Sequence, residues 1–214
     1  MKKFELTSET KAFFGKTLYR IRALISFGDV SAGDLGGFVE KEENLDQSGN
    51  AWVSGNAWVS GDARVSGNAL VSGNALVSGN AWVYGDAWVS GNARVSGNAR
   101  VSGDAWVSGN ARVSGDARVS GDARVSGNAL VSGNARVDKI GAIFWVGAVG
   151  SRNDTTTFFK CKDGKVRVTC GCFFGDLTEF AEKVNETHGD NEHGKVYMLA
   201  IEMAKARISL EGER

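Results

Sequence analysis

The chain has 214 residues, 25 basic and 25 acidic side chains, three cysteines and no proline. Zero net charge supplies no global field to gather nucleic acid or an anionic membrane. An odd cysteine count, confined to Cys161, Cys170 and Cys172, does not suggest a disulfide framework. No apolar run approaches the roughly 20 residues that a membrane-spanning helix needs. The opening Met1-Lys2-Lys3-Phe4-Glu5 lacks the apolar core of a signal peptide, so the expectation is a soluble cytoplasmic protein.

Residues 1–47 read as an N-terminal β cap on a repeat that begins at residue 48. Phe4-Glu5-Leu6-Thr7 is a short strand. Tyr19, Ile21, Ala23 and Ile25 alternate with Leu18, Arg20, Arg22 and Leu24, which predicts a longer strand with one mainly apolar face. Gly33 to Val39 is a turn-rich lead-in. Val39 and Leu45 are expected at the alanine position of the six-residue register, so the repeat starts irregularly before its first perfect copy.

Residues 48–137 repeat one phrase, Ser-Gly-Asn/Asp-Ala-x-Val, fifteen times without an insertion, with Tyr84 in place of serine in one copy. Ala and Val lie two apart, so in a strand both point to one side and x to the other. Gly followed by Asn or Asp tolerates the positive φ that a sharp corner needs. Strand and corner every six residues describe a coiled prism. The pattern resembles the hexapeptide-repeat, left-handed parallel β-helix, in which three hexads make one coil. The resemblance implies five 18-residue coils, about 24 Å tall at the usual strand spacing, and it alone carries the handedness.

Stacking every third copy gives three outer columns. The first is Trp52, Leu70, Trp88, Trp106, Arg124; the second Trp58, Leu76, Arg94, Arg112, Leu130; the third Arg64, Trp82, Arg100, Arg118, Arg136. Trp52, Trp88 and Trp106 form an apolar stripe of the kind that marks oligomer contacts. Arg100 and Arg118 head a basic column that is suited either to a phosphate or simply to covering a sheet. Along the corners, Asn56, Asn74, Asn92, Asn110 and Asn128 predict an amide ladder. Asp86, Asp104 and Asp122 stack on another edge, with Arg100 and Arg118 as expected compensators. Acyl transfer needs a general base, and residues 48–137 contain no His, Cys, Lys or Glu. That class is therefore rejected for the prism.

Residues 138–214 predict a small α+β domain. Strands are expected at 140–149, 155–161 and 166–170, with Asp163-Gly164 as a hairpin turn. Asp176 reads as an N-cap with Glu179 completing a capping box. A second helix is expected over 191–210, burying Val196, Leu199, Ala200, Met203 and Ile208. Here the candidate ligand contacts are Ser151, Arg152, Asn153, Thr155, Thr156 and His188. A donor-rich turn with one fixed cation can cradle a phosphate. Cys170, Cys172, His188 and His193 are also weighed as a metal set or a thiol–imidazole pair. No catalytic residue, metal site or cofactor is assigned.

Three flanking motifs sharpen the resemblance: Leu18-Tyr19-Arg20-Ile21-Arg22-Ala23-Leu24, Gly33-Asp34-Leu35-Gly36-Gly37-Phe38-Val39-Glu40, and Glu43-Asn44-Leu45 running into the repeats. Together they resemble hexapeptide-repeat proteins of bacteriophages and prophages. Residues 150–201 look like the terminal module of those proteins. The resemblance implies a mobile-element accessory protein with no established reaction. The expected function is non-catalytic: a β-helix scaffold, expected to self-associate, that presents a binding domain for a small phosphorylated ligand or a host protein, with anti-defence as the setting. The alternatives are an enzyme with a Cys/His site in the last domain and a purely structural rod.

Overall fold

The computed structural model describes residues 2–13 and 15–209, except for the side chain of Ser209. Three N-terminal strands come first: β1 (Phe4–Phe13), β2 (Lys16–Ala23) and β3 (Leu35–Val39). Fifteen two-residue strands succeed them, one per hexad, from β4 (Trp52–Val53) to β18 (Arg136–Val137). They stack in parallel, each on the strand three hexads away, so the columns expected from the sequence are the three walls of a prism. Every Ala and Val of the repeat is buried.

The corner explains why the phrase is so strict. Gly97 has φ +68°, and a Cβ there would sit 3.0 Å from the Gly115 nitrogen of the next turn. Only glycine meets both demands. Adjacent turns are tied through the x, Ser and Asn amides, as when Leu70 N donates to Ala87 O, Ser72 N to Val89 O and Asn74 N to Gly91 O. The amide ladder forms from Asn74 through Asn92 and Asn110 to Asn128. Asn56 leaves it and accepts from Lys11 Nζ instead.

The prism is longer than five coils. β3 pairs in parallel with β5 (Trp58–Val59), and Leu45 bridges Val65. This adds an irregular turn, for about six in all. Val39 stands opposite Val59 and Leu45 opposite Val65, so both occupy the valine position, not the expected alanine position. The cause is a corner two residues longer than the others, five residues between Leu45 and Ala51 where the repeat uses three. Because inward positions are two apart, a two-residue insertion keeps both side chains buried.

That longer corner docks the start of the chain. Gln47 Oε1 accepts from the amides of Lys3 and Phe4. Lys3 is itself buried, and its ammonium donates to the carbonyls of Ser48, Gly49 and Ala51. Asn44 Nδ2 likewise donates to Gly61 O and Ala63 O. Carbonyls facing this end have no earlier turn to pair with, so donors must come from the cap. Burial lowers the Lys3 ammonium to about 8, against the opposing pull of the Asp46 carboxylate.

β2 departs from simple alternation. Leu18, Ile21 and Ala23 are the buried positions, while Tyr19 is only half-buried. The ladder slips between Arg20 and Arg22, where β3 spends an extra residue. Gly36 and Gly37 belong to β3 and are not a turn. A Cβ at Gly37 would lie 2.6 Å from Ala57 O and 2.8 Å from Val53 Cγ1.

After the prism, β19 (Ile143–Val149), β20 (Asp154–Lys160), β21 (Val166–Cys170) and β22 (Phe173–Asp176) form an antiparallel meander. Residues 140–142 are a 3-10 turn and not the start of a strand, and β22 has no counterpart among the expected strands. The helices are α1 (Leu177–His188) and α2 (Glu192–Ser209); Leu210 lies outside the described residues. The capping box is present: Asp176 accepts from Thr178 N and Glu179 N, and Glu179 accepts from Asp176 N.

One face of the meander closes the prism, with Ile143, Phe159 and Cys161 continuing its core. Thr157 and Thr169 are cross-strand partners and clip the last turn. Leu130 N donates to Thr157 Oγ1 at 3.0 Å, and Thr169 Oγ1 donates to Leu130 O at 2.8 Å. The other face carries both helices through Phe158, Val168, Phe180, Tyr197, Ile201 and Ala204. The buried face of α2 is thus Tyr197, Ala200, Ile201, Ala204 and Ile208. Val196, Leu199 and Met203, expected inside, are exposed, Leu199 by 65% and Met203 by 56%. The helix is apolar on two sides, and the pattern that includes Tyr197 faces the sheet. Among the described residues no helix is long and apolar enough to cross a membrane.

Candidate functional site

Two turns at one edge of the meander bring the candidate residues together. Residues 150–153 link β19 to β20, with Gly150 at φ +71° and Asn153 at +49°; Asn153 N donates to Gly150 O. Gly171 and Cys172 link β21 to β22, with Cys170 opposite Phe173. Positive φ at Gly171 alone, +59°, is the signature of a type II′ hairpin turn. A Cβ at Gly171 would lie 3.2 Å from Arg152 Nη1, so the bare glycine lets the guanidinium lie over the turn.

Behind these turns stands Tyr197 of α2. A side chain at Gly150 would run into its hydroxyl. Thr156 Oγ1 donates to Cys170 Sγ at 3.2 Å, and Cys170 Sγ donates to Tyr197 Oη at 3.6 Å. Burial and then the Cys170 hydrogen bond push the Tyr197 phenol up to about 12, with the Arg152 guanidinium opposing. At neutral pH it is therefore an uncharged hydrogen-bonding group. The His188 ring lies 5.6 Å from the Tyr197 ring and 5.7 Å from the His193 ring.

The expected ligand set divides on this geometry. Ser151, Arg152 and Asn153 are exposed on the turn. Thr155 and Thr156 are buried, and Thr156 donates to Cys170. Alternation along β20 turns Thr156 inward. His188 joins the cluster through the Tyr197 ring. Cys170 has Thr156 and Tyr197 as hydrogen-bond partners, and His188 is not among them. No group of three or more His, Cys, Asp or Glu able to hold a metal occurs among the described residues.

Sequence reasoning missed Tyr197. The signal for it was slight: Tyr197, Ala200, Ile201 and Ala204 share the helical spacing of Val196, Leu199, Ala200 and Met203, and only Ile208 fits the Tyr197 set better.

The prism surface also needs correction. Trp52 is 5% exposed, lying edge-on under Phe27 at 5.4 Å, so it belongs to the N-terminal packing and not to an open stripe. Trp88 and Trp106 do stack, at 4.8 Å and 5° between planes, with Trp88 40% exposed. Their indole N–H groups donate to Ser72 and Ser90. Arg100 and Arg118 are exposed and in register. Among the described residues no ion pair within 4.0 Å joins them to Asp104 or Asp122. Arg100 instead lies 5.9 Å from the Trp82 ring centre, and Arg124 lies 5.6 Å from that of Trp106. Outward side chains on a sheet reach neighbouring strands more readily than a corner.

The fold is that of a repeat β-helix protein whose two ends are closed by unlike caps. Within it, the YdcK beta solenoid repeat family matches residues 63–79, 71–85, 87–103, 93–109, 111–123, 117–133 and 123–138. The match runs through the repeat from residue 63 and ends at residue 138, one residue beyond it. No curated protein matches the chain.

Proposed function

We propose that this is a non-catalytic binding protein whose prism is a rigid rod and whose C-terminal module holds a small phosphorylated ligand at the Arg152 turn. The observation that supports it most is convergence. Arg152, the Cys170-Gly171 turn, His188 and Tyr197 come from four separate segments and meet at one edge of the module. Guanidinium over a glycine turn offers paired N–H donors to a phosphoryl group. Behind it Thr156, Cys170 and Tyr197 are hydrogen-bonded to one another, an arrangement for holding a shape. The likeness of the flanking motifs to phage and prophage proteins supports anti-defence as the setting, with the ligand a nucleotide signal withdrawn from the host.

The test is recovery of the ligand. The purified protein is incubated with nucleotide extract from phage-infected bacteria, and bound material is released and identified by mass spectrometry. An intact phosphorylated molecule, absent with Arg152→Ala, is the expected result. A chemically altered molecule would overturn the non-catalytic reading in favour of an enzyme.

A second reading, a docking face for a host protein, draws on α2. Its outer side exposes Val196, Leu199 and Met203 beside a groove of about 580 Å³ between the helices. Exposed apolar faces of this kind mark protein contacts. Recovery of a host protein with no small molecule, lost with Leu199→Asp and retained with Arg152→Ala, would select it. The Trp88–Trp106 stack supports self-association of the rod in either case.

A further inference from the structure

Beside the Arg152 turn, where the meander meets the second wall of the prism, lies a cleft of about 320 Å³. Small-molecule sites run from about 300 to 1,000 Å³. Its walls include Arg112, Ser114 and Ser132 from the prism and Gly171, Cys172 and Phe174 from the module. No carboxylate lines it. Arg112 stacks on Arg94 in register; the corner before them is the neutral ladder Asn92–Asn110–Asn128, and the corner after them carries Asn98 and Asp116. Among the described residues no carboxylate lies within 4.0 Å of either guanidinium.

Gly171 is common to both sites. It lines the cleft, and Arg152 Nη1 lies 3.2 Å from where its Cβ would be. Two guanidinium groups therefore flank one glycine turn, one from each structural unit. Phe174 is half-exposed. Its ring sits under Gly133, where a Cβ would lie 2.9 Å from Cζ, and tilts against Phe159 at 6.5 Å. A ring held on one side and open on the other is a stacking platform for a base.

We propose that the ligand is a nucleotide with at least two phosphoryl groups, one at Arg152 and one at Arg112, its base lying on Phe174. This rests on the reading of Arg152 as a phosphate contact and extends it across the junction. The prism is then one wall of the site.

Adenosine mono- and diphosphate and inorganic pyrophosphate serve as probes, with titration calorimetry on the full chain. The diphosphate should bind at least ten-fold more tightly than the monophosphate. Arg112→Ala should abolish that gap and leave monophosphate binding within two-fold, whereas Arg152→Ala should lose both. Phe174→Ala should weaken the nucleotides several-fold and spare pyrophosphate. Adenosine diphosphate should slow alkylation of the exposed Cys172 in the wild type and not in Arg112→Ala. Unchanged melting temperatures confirm that the variants fold. If Arg152→Ala abolishes binding while Arg112→Ala leaves the gap intact, the extension falls and the Arg152 reading stands. If no probe binds the wild type, both fall.

Discussion

The two ends of the prism face the same difficulty and solve it with unlike chemistry. At the N-terminal end the orphaned carbonyls of Ser48, Gly49 and Ala51 are met by one buried ammonium, Lys3. At the C-terminal end the exposed N–H and C=O of Leu130 are met by two neutral hydroxyls, Thr157 and Thr169. The first solution reaches those three carbonyls with one flexible side chain from just before β1. The second is a sheet that stands where the next turn would have been. A stacked strand accepts any group that completes its hydrogen bonds.

The largest expected loss is at the C-terminal end. Replacing Thr157 and Thr169 together by Val leaves a partly buried donor and acceptor of Leu130 unpaired, at about 1–3 kcal/mol each. Thermal unfolding should report the loss, and hydrogen exchange should quicken first at Leu130. At the other end Lys3→Met strands three carbonyls but removes a desolvated charge, two effects that oppose each other. A net loss of about 1–3 kcal/mol is expected, with faster exchange around residues 49–53.

The ends should also differ in the sign of their pH dependence. Lys3 has a folded pKa of about 8 against an ordinary 10.5. Between those values the unfolded chain binds the extra proton, so this group adds stability as pH rises from 8 to 10.5. Cys161 behaves oppositely, because burial raises its thiol from 9.0 to about 11. The folded state keeps that proton, so stability is lost as pH rises from 9 to 11. Denaturant titrations across pH 7.5 to 11 should show the slope become more negative in Lys3→Met and less negative in Cys161→Ala. Identical slopes in all three proteins would refute both assignments. Thiol labelling gives a simpler comparison, with Cys172 modified in the native state and Cys161 only on unfolding.

The smallest effect is expected between the ends. Trp88→Ala removes one stacked pair and an indole hydrogen bond. An aromatic pair contributes roughly 0.5–1.5 kcal/mol beyond its area, and the inward Ala and Val are untouched. Sedimentation should show a shift to smaller species if the stack also joins copies of the rod.

The prism was legible because each residue of the hexad has one task set by a repeating backbone. What escaped was set by contacts distant in sequence. Leu45 moved to the valine position because the corner after it is two residues longer and holds Lys3 and Phe4 through Gln47. Trp52 was covered by Phe27, 25 positions earlier. In α2, Val196 and Leu199 are as apolar as the residues that are buried, so hydrophobicity alone could not choose the face; Tyr197 chose it by reaching Cys170. Arg152 and the Cys170 turn were singled out from chemistry. Their neighbour Arg112 was seen only as one of a column, because the module's docking on that wall appears in no local pattern.

The unvarying length of the hexad makes the repeat a gauge. Removing 18 residues from its middle would shorten the rod by about 4.8 Å and return the module to the same wall. Removing six would carry it round by a third of a revolution, so that Gly171 met a different column and lost Arg112. The number of hexads therefore sets the phase between the two units as well as their separation, and only changes in multiples of three would keep the junction intact.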